Sequence, residues 1–251
     1  AVPHKISENT LSYYQNQLTT FKTRLEELSG RKISDSDLQD AIGVYNRSRS
    51  LLKELYDLRK REKPPITGAE TLNVVRAGMV MPKPEYNEIL ADILNEIQSR
   101  EVETGGKARL LISGSIIDQP EYIEAIEESG GLIVTDDLCT GTRYFGNPVD
   151  TDFDPMEALA KRYLYRIPCA RMGSSEIRFD YLLTLIKDLR VTGVICETIK
   201  FCDLYGYDRP MTTKVLARQG IPFLELEREY GLGGIGQIKT RVQAFLEMLG
   251  G

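Results

Sequence analysis

The chain has 251 residues, 41% of them hydrophobic, enough for a sizeable core in one large domain or two small ones. Its net charge of −5 and pI near 5.2 leave no broad basic surface, which argues against nucleic acid or an anionic membrane as a partner. No stretch approaches a membrane span and the first residues lack a signal-peptide pattern, so the expected compartment is the cytoplasm.

The opening Ala-Val-Pro-His-Lys lacks an initiator Met, and the natural start is expected further upstream. Leu11, Tyr14, Leu18, Phe21, Leu25 and Leu28 recur at spacings of three and four, predicting an amphipathic helix stopped by Gly30. A second helix is predicted to open at Ser34, with Asp37 three residues on. It carries Leu38, Ala41, Ile42, Tyr45, Leu52, Leu55 and Leu58 before Pro64-Pro65 ends it. Its Arg- and Lys-rich face reads as an ordinary solvated surface. A short helix follows around Leu72 to Met79, then another from Pro84 to Ile97. Thr104-Gly105-Gly106 marks a boundary, giving a helical segment over residues 1–104 and an α/β domain over 105–251.

Beyond that boundary, short apolar runs alternate with helical periods, as βαβ units do. The predicted strands are Arg109 to Ser113, Leu132 to Thr135, Arg166 to Cys169, Gly193 to Cys196 and Phe223 to Leu226. Helices are predicted at Pro120 to Ser129, Pro155 to Tyr163, Phe179 to Leu189, Thr212 to Gln219 and Gln237 to Leu249. The fold class is therefore α/β: a flavodoxin-like or Rossmann-like, mostly parallel sheet with helices on both faces.

Cys139, Cys169, Cys196 and Cys202 each fall at or just past the end of a predicted strand, which places all four along one rim. The carboxyl ends of parallel strands are where such sheets bind ligands. Buried free cysteines also often only fill space, and both readings stand for each thiol. Without a secretory signal, reduced thiols or metal ligands are expected in preference to disulfides. No Cys-x-x-Cys occurs, Cys196 and Cys202 have five residues between them, and the single histidine, His4, lies far from the rim. That pattern disfavours a structural zinc site and leaves an iron–sulfur cluster assembled from dispersed strand ends open.

Ser113-Gly114-Ser115, ahead of the helix near Pro120, can offer backbone N–H groups to an anion, with Ser113 and Ser115 as substrate-binding candidates. The string Gly231, Gly233 and Gly236 has a dinucleotide-like spacing but lies at the last strand-to-helix turn instead of the first. It is read as a loop that lets backbone approach a ligand or partner.

Six segments together carry a specific resemblance: Pro3-His4-Lys5-Ile6-Ser7, Leu111-Ile112-Ser113-Gly114-Ser115, Asp136-Asp137-Leu138-Cys139-Thr140-Gly141-Thr142-Arg143-Tyr144, Ile167-Pro168-Cys169-Ala170-Arg171-Met172, Ile199-Lys200-Phe201-Cys202-Asp203 and Gly236-Gln237-Ile238-Lys239-Thr240-Arg241. Over nearly its whole length the chain resembles the D-type (beta) subunit of the 2-hydroxyacyl-CoA dehydratase and benzoyl-CoA reductase family. Family members are longer and begin with another α/β domain, so the resemblance implies the carboxyl-terminal part of a subunit whose upstream α/β domain is missing.

The resemblance further implies a 4Fe-4S cluster, or a double-cubane cluster in one branch, with Cys202 of the Lys-Phe-Cys-Asp motif as a metal ligand and Cys139 and Cys169 as further candidates. Cys196 is expected in the core. Arg143 and Arg171 either meet acyl-CoA phosphates or carboxylates, or brace Asp136 and Asp137. The implied protein is an oxygen-sensitive, anaerobic heterodimer with a second dehydratase subunit. A separate ATP-hydrolysing iron–sulfur activator would feed it an electron for radical elimination of water from a 2-hydroxyacyl-CoA. Ring reduction of the benzoyl-CoA reductase type, a double-cubane reductase and a non-catalytic docking or assembly subunit are the alternatives.

Overall fold

Four apolar stretches pair into one all-parallel sheet in the computed structural model, which describes residues 2–172, 175–231 and 233–250. The strands are β1 (Ala108–Ser113), β2 (Gly131–Asp137), β3 (Gly193–Ile199) and β4 (Phe223–Arg228), in the order β2-β1-β3-β4. β2 and β3 are buried at every position, as strands covered on both faces must be.

Ten helices surround or precede the sheet among the described residues. They are α1 (Glu8–Ser29), α2 (Asp35–Leu58), α3 (Gly68–Val80), α4 (Lys83–Glu96), α5 (Pro120–Glu128), α6 (Thr142–Phe145), α7 (Pro155–Tyr165), α8 (Ser175–Asp188), α9 (Asp203–Arg218) and α10 (Ile235–Gly250). Local chemistry sets several boundaries. Ser7 with Thr10, Ser34 with Asp37 and Thr67 with Glu70 form reciprocal capping boxes at α1, α2 and α3, and Gly30 ends α1 at φ 69°.

α3, α5 and α10 cover one face of the sheet, where Leu72, Ile126 and Phe245 meet Leu110, Ile112 and Ile133. α8 and α9 cover the other, where Leu182, Ile186 and Leu216 meet Leu111, Val194 and Cys196. A separate apolar cluster joins α2, α3 and α4 through Leu52, Leu55, Val75, Leu90 and Leu94, and Phe145 of α6 inserts into it. α1 lies on α7 through Tyr14, Leu18, Ala160 and Leu164.

Three expectations need correction. Arg166 to Cys169 forms no strand and runs as irregular chain between α7 and α8. Pro168 lacks the N–H that a ladder needs, which confines such a run to edges and loops. The sheet accordingly has four strands where five were expected, and Cys169 lies at no strand end. Second, α9 begins at Asp203, well before the expected Thr212, because Pro210 is accommodated inside the helix at the loss of a single backbone bond. Third, Cys196 sits within β3, in the core under α8 and α9, so the four thiols do not share one rim.

The strand order positions the site. The first crossover carries the chain outward from β1 to β2, and the next returns it to β3 on the other side of β1. The switch point therefore lies between the carboxyl ends of β1 and β3, where parallel sheets open a crevice. Gly114 makes this junction possible, since a Cβ there would stand 2.4 Å from the Glu197 carbonyl oxygen.

Candidate functional site at the strand rim

The end of β2 supplies two buried carboxylates that face opposite ways. Asp136 accepts from the Tyr56 hydroxyl of α2 and from the backbone N–H groups of Leu138 (3.2 Å) and Thr142 (2.8 Å). Burial raises its pKa, against these hydrogen bonds and the Arg59 charge. Gly141 folds back over it so tightly that a Cβ would fall 1.7 Å from Asp136 Oδ1.

Asp137, fully buried, lies between two guanidinium groups: Arg143 Nε at 3.1 Å from Oδ1 and Arg178 Nη1 at 3.6 Å from Oδ2. The Arg143 pair is electrostatic in character, because neither Nε nor Oδ1 has a properly directed hydrogen-bond partner. Arg143 also donates to the carbonyls of Gly114 and Asp137. Burial opposes its charge, but Asp137, Tyr205 and Cys139 together outweigh that and raise its pKa. Arg178 continues to Asp208, tying α8 and α9 to the end of β2.

Both serines of the β1 end turn inward. Ser113 Oγ donates to Asp137 Oδ2 at 3.2 Å, and Ser115 Oγ approaches Glu197 Oε2 at 3.5 Å. Glu197 pairs with Arg228 at 2.6 Å, and burial raises its pKa despite that partner. Arg143 is buried in this bracing, whereas Arg171 is exposed and its backbone N–H donates to Cys169 Sγ at 3.3 Å.

Of the thiols, Cys139 is exposed, Cys169 and Cys202 are half-buried and Cys196 is buried, its pKa pushed up to about 12 by desolvation. Cys139 Sγ lies 4.0 Å from the hydroxyl of Tyr205, which is in the first turn of α9 and under the Arg143 guanidinium. Cys202 is the N-cap residue of α9 and borders an open cavity of about 310 Å³ with Phe201, Asp203, Tyr207 and Arg209. Phe201, 97% exposed, holds φ at 64°, a left-handed conformation uncommon for an aromatic residue. This turn sets where the Cys202 backbone enters the helix, with its N–H donating to Ile199 O at 3.0 Å.

The fold thus brings Cys139 and the α9 turn that follows Cys202 to one region through Tyr205. Among the described residues, no three His, Cys, Asp or Glu side chains stand where they would together hold a metal ion. Tyr56, Arg178, Tyr205 and Asp208 belong to the network but carry no local motif. Their partners lie 30 to 80 residues away, and only the three-dimensional arrangement reveals them.

Residues 1–249 match the family model described as 2-hydroxyglutaryl-CoA dehydratase, D-component. A benzoyl-CoA reductase subunit of Thauera aromatica is 32% identical over 243 residues, covering 95% of this chain and 63% of the relative. The (R)-phenyllactyl-CoA dehydratase beta subunit of Clostridium sporogenes is 28% identical over 226 residues, covering 90% and 60%. The (R)-2-hydroxyglutaryl-CoA dehydratase beta subunit of Acidaminococcus fermentans is 27% identical over 233 residues, covering 91% and 62%. The chain spans less than two thirds of the length of each of these three relatives. Among the described residues no helix is long and apolar enough to cross a membrane. The resemblance carried by the six motifs is upheld across all but the last two residues: the chain belongs to the 2-hydroxyglutaryl-CoA dehydratase D-component family.

Proposed function

We propose that this chain forms part of the beta-type subunit of a 2-hydroxyacyl-CoA dehydratase, working with a second subunit and with an ATP-hydrolysing activator. The family match over residues 1–249 carries the reading, supported by relatives named as beta subunits of dehydratases for phenyllactyl-, lactoyl- and 2-hydroxyglutaryl-CoA. A reductase subunit of the benzoyl-CoA type is the second reading, favoured by the 32% identity to the Thauera aromatica benzoyl-CoA reductase polypeptide.

The cofactor this reading calls for is a 4Fe-4S cluster. The described residues do not assemble a complete ligand set for it. In this proposal Cys202 supplies one thiolate and the other donors come from outside this chain. Two features support Cys202. Its thiol stands at the amino end of α9, where the helix dipole favours negative charge, and it borders an open cavity lined by the carboxyl ends of β3 and β4 and the first turns of α9. Arg143, Asp137 and Arg178 fix the β2 end and α9 behind it, while Cys196 serves packing.

The test is iron and acid-labile sulfide content of the anaerobically purified complete subunit, as wild type, Cys202→Ser and Cys196→Ser. Iron lost in Cys202→Ser and kept in Cys196→Ser is the expected result. Equal, near-full iron in both variants would sink the Cys202 assignment, and no iron in the wild type would favour a docking or assembly role.

A further inference from the structure

We propose that a cleft bounded by α2, β2, α6 and α8, separate from the rim thiols, binds a small organic carboxylate with a flat apolar body, of the arylalkanoate class. The cleft encloses about 400 Å³, within the roughly 300–1,000 Å³ typical of small-molecule sites. Its walls are mainly apolar: Tyr56, Phe145, Ile167, Tyr181, Leu185 and Leu189. Tyr56 and Phe145 lie with ring centroids 4.8 Å apart and planes tilted by 52°, so two aromatic surfaces stand at one end. Aromatic walls of this kind suit a flat ring.

The deep wall includes a polar group the fold has no use for. The β1–β2 register slips, so that Leu110 pairs with Ile133 but Leu111 pairs with Thr135. Paired residues in a parallel sheet share a face, and Leu111 packs against Leu182 of α8. The bulge therefore turns Thr135 toward α8 and the cleft, where strict alternation would have sent it to the opposite core with Ile133. Its hydroxyl is fully buried and has no hydrogen-bond partner. A valine would fill the same space without an unsatisfied group.

The mouth carries an excess of positive charge. Arg49, Lys53 and Lys60 of α2 line it against two carboxylates, Asp57 and Asp188. Asp57 is taken up by both lysines, at 2.6 Å each. Arg49 bonds only the Asn46 side chain, at 2.8 Å, and among the described residues no carboxylate lies within ion-pair distance of it. Behind the mouth, Arg162 is buried and donates to the carbonyls of Tyr144, Gly146 and Asn147, the last two at the edge of the cleft. Burial first, and the nearby Arg49 second, bring its pKa down to about 10. Two adjacent guanidinium groups without a carboxylate favour an incoming anion, and the planar fork of Arg49 suits a carboxylate in particular.

The experiment is calorimetric titration of the full chain with 3-phenylpropanoate and with its neutral isostere 3-phenylpropanamide. Wild type, Arg49→Gln and Leu185→Trp are compared, with thermal melts confirming that each is folded. The carboxylate is expected to bind about tenfold more tightly than the amide, the preference disappearing in Arg49→Gln. Leu185→Trp, which fills the cleft, is expected to remove binding of both. Equal affinity for acid and amide in the wild type, no binding of either, or a preference unchanged in Arg49→Gln would overturn the proposal. Since Arg49→Gln alters a half-buried surface position, it tests the idea even if the tryptophan variant fails to fold.

Discussion

Replacing Asp137 with asparagine isolates the charge at the end of β2 while keeping the side chain's shape. The carboxylate is fully buried, with Arg143 and Arg178 at 3.1 and 3.6 Å and side-chain exposures of 5% and 1%. Removing one partner from a buried ion pair costs about 3–5 kcal/mol, because a charge is left in a medium that solvates it poorly. Here the lower end applies, about 3 kcal/mol. Arg178 retains Asp208, and Arg143 retains the Gly114 and Asp137 carbonyls as acceptors. Urea unfolding followed by far-UV circular dichroism reads this as a lower midpoint at unchanged slope. Lys239→Gln, which breaks the exposed pair with Glu128, is the control and should shift stability by no more than about 0.5 kcal/mol. Adding Arg143→Met to Asp137→Asn should restore part of the loss, since removing both charges leaves less to desolvate. A cost below about 1 kcal/mol for Asp137→Asn, or a double variant less stable than the single one by the full cost of each, would refute the account of this cluster.

Gly141→Ala should prevent accumulation of folded protein, because the added Cβ falls on the Asp136 carboxylate at 1.7 Å and that carboxylate is already held by Tyr56, Leu138 and Thr142; soluble yield and a melt check it. Phe201→Gly should leave the fold as stable or up to about 1 kcal/mol more stable, since glycine adopts φ 64° without strain and the exposed ring buries nothing; a larger loss in urea unfolding would show a packing role for the ring. For Cys196, raised from 9.0 to about 12, the unfolded chain loses the thiol proton first, so its contribution is intact below pH 9 and lost as pH rises from 9 toward 12. Wild type should therefore lose more stability across that window than Cys196→Ala, and the two curves running parallel would contradict the assignment.

Where the sequence speaks through short-range rules, it was readable. The strands announce themselves as apolar runs because both faces are covered, and Ser7, Ser34 and Thr67 mark helix starts because they close capping boxes with residues three positions on. Arg166 to Cys169 misleads because apolar and β-prone neighbours surround a proline whose missing N–H is decisive. In α9 the opposite error arises: Pro210 reads as a barrier, yet a long helix continues through it at the loss of one backbone bond. At the rim, the concentration of Asp, Gly, Cys and Arg between Asp136 and Arg143 was legible, but the pairing of Asp137 with Arg143 and Arg178 was not. Arg178 and Asp208 lie on separate helices and meet only after the sheet has formed.

The bulge in β2 explains why that strand is the hardest to read and the most informative once folded. Strict alternation would put Thr135 and Asp137 on one side with Ile133. The slipped register instead aligns Thr135 with Leu111 and Asp137 with Ser113, moving both to the α8 side and leaving Asp136 to meet Tyr56 from α2. Three consecutive polar residues thereby enter three different surroundings: a cleft, a tyrosine hydroxyl and a pair of guanidinium groups. Buried polar side chains are costly in a strand, and a bulge adds a break in the ladder. A fold selected for stability alone would place apolar residues here, as β1 does in Leu110, Leu111 and Ile112. The concentration of unsatisfied or charged groups at one strand end, next to a topological switch point, is therefore physical grounds for placing function on this side of the sheet, independently of any family match.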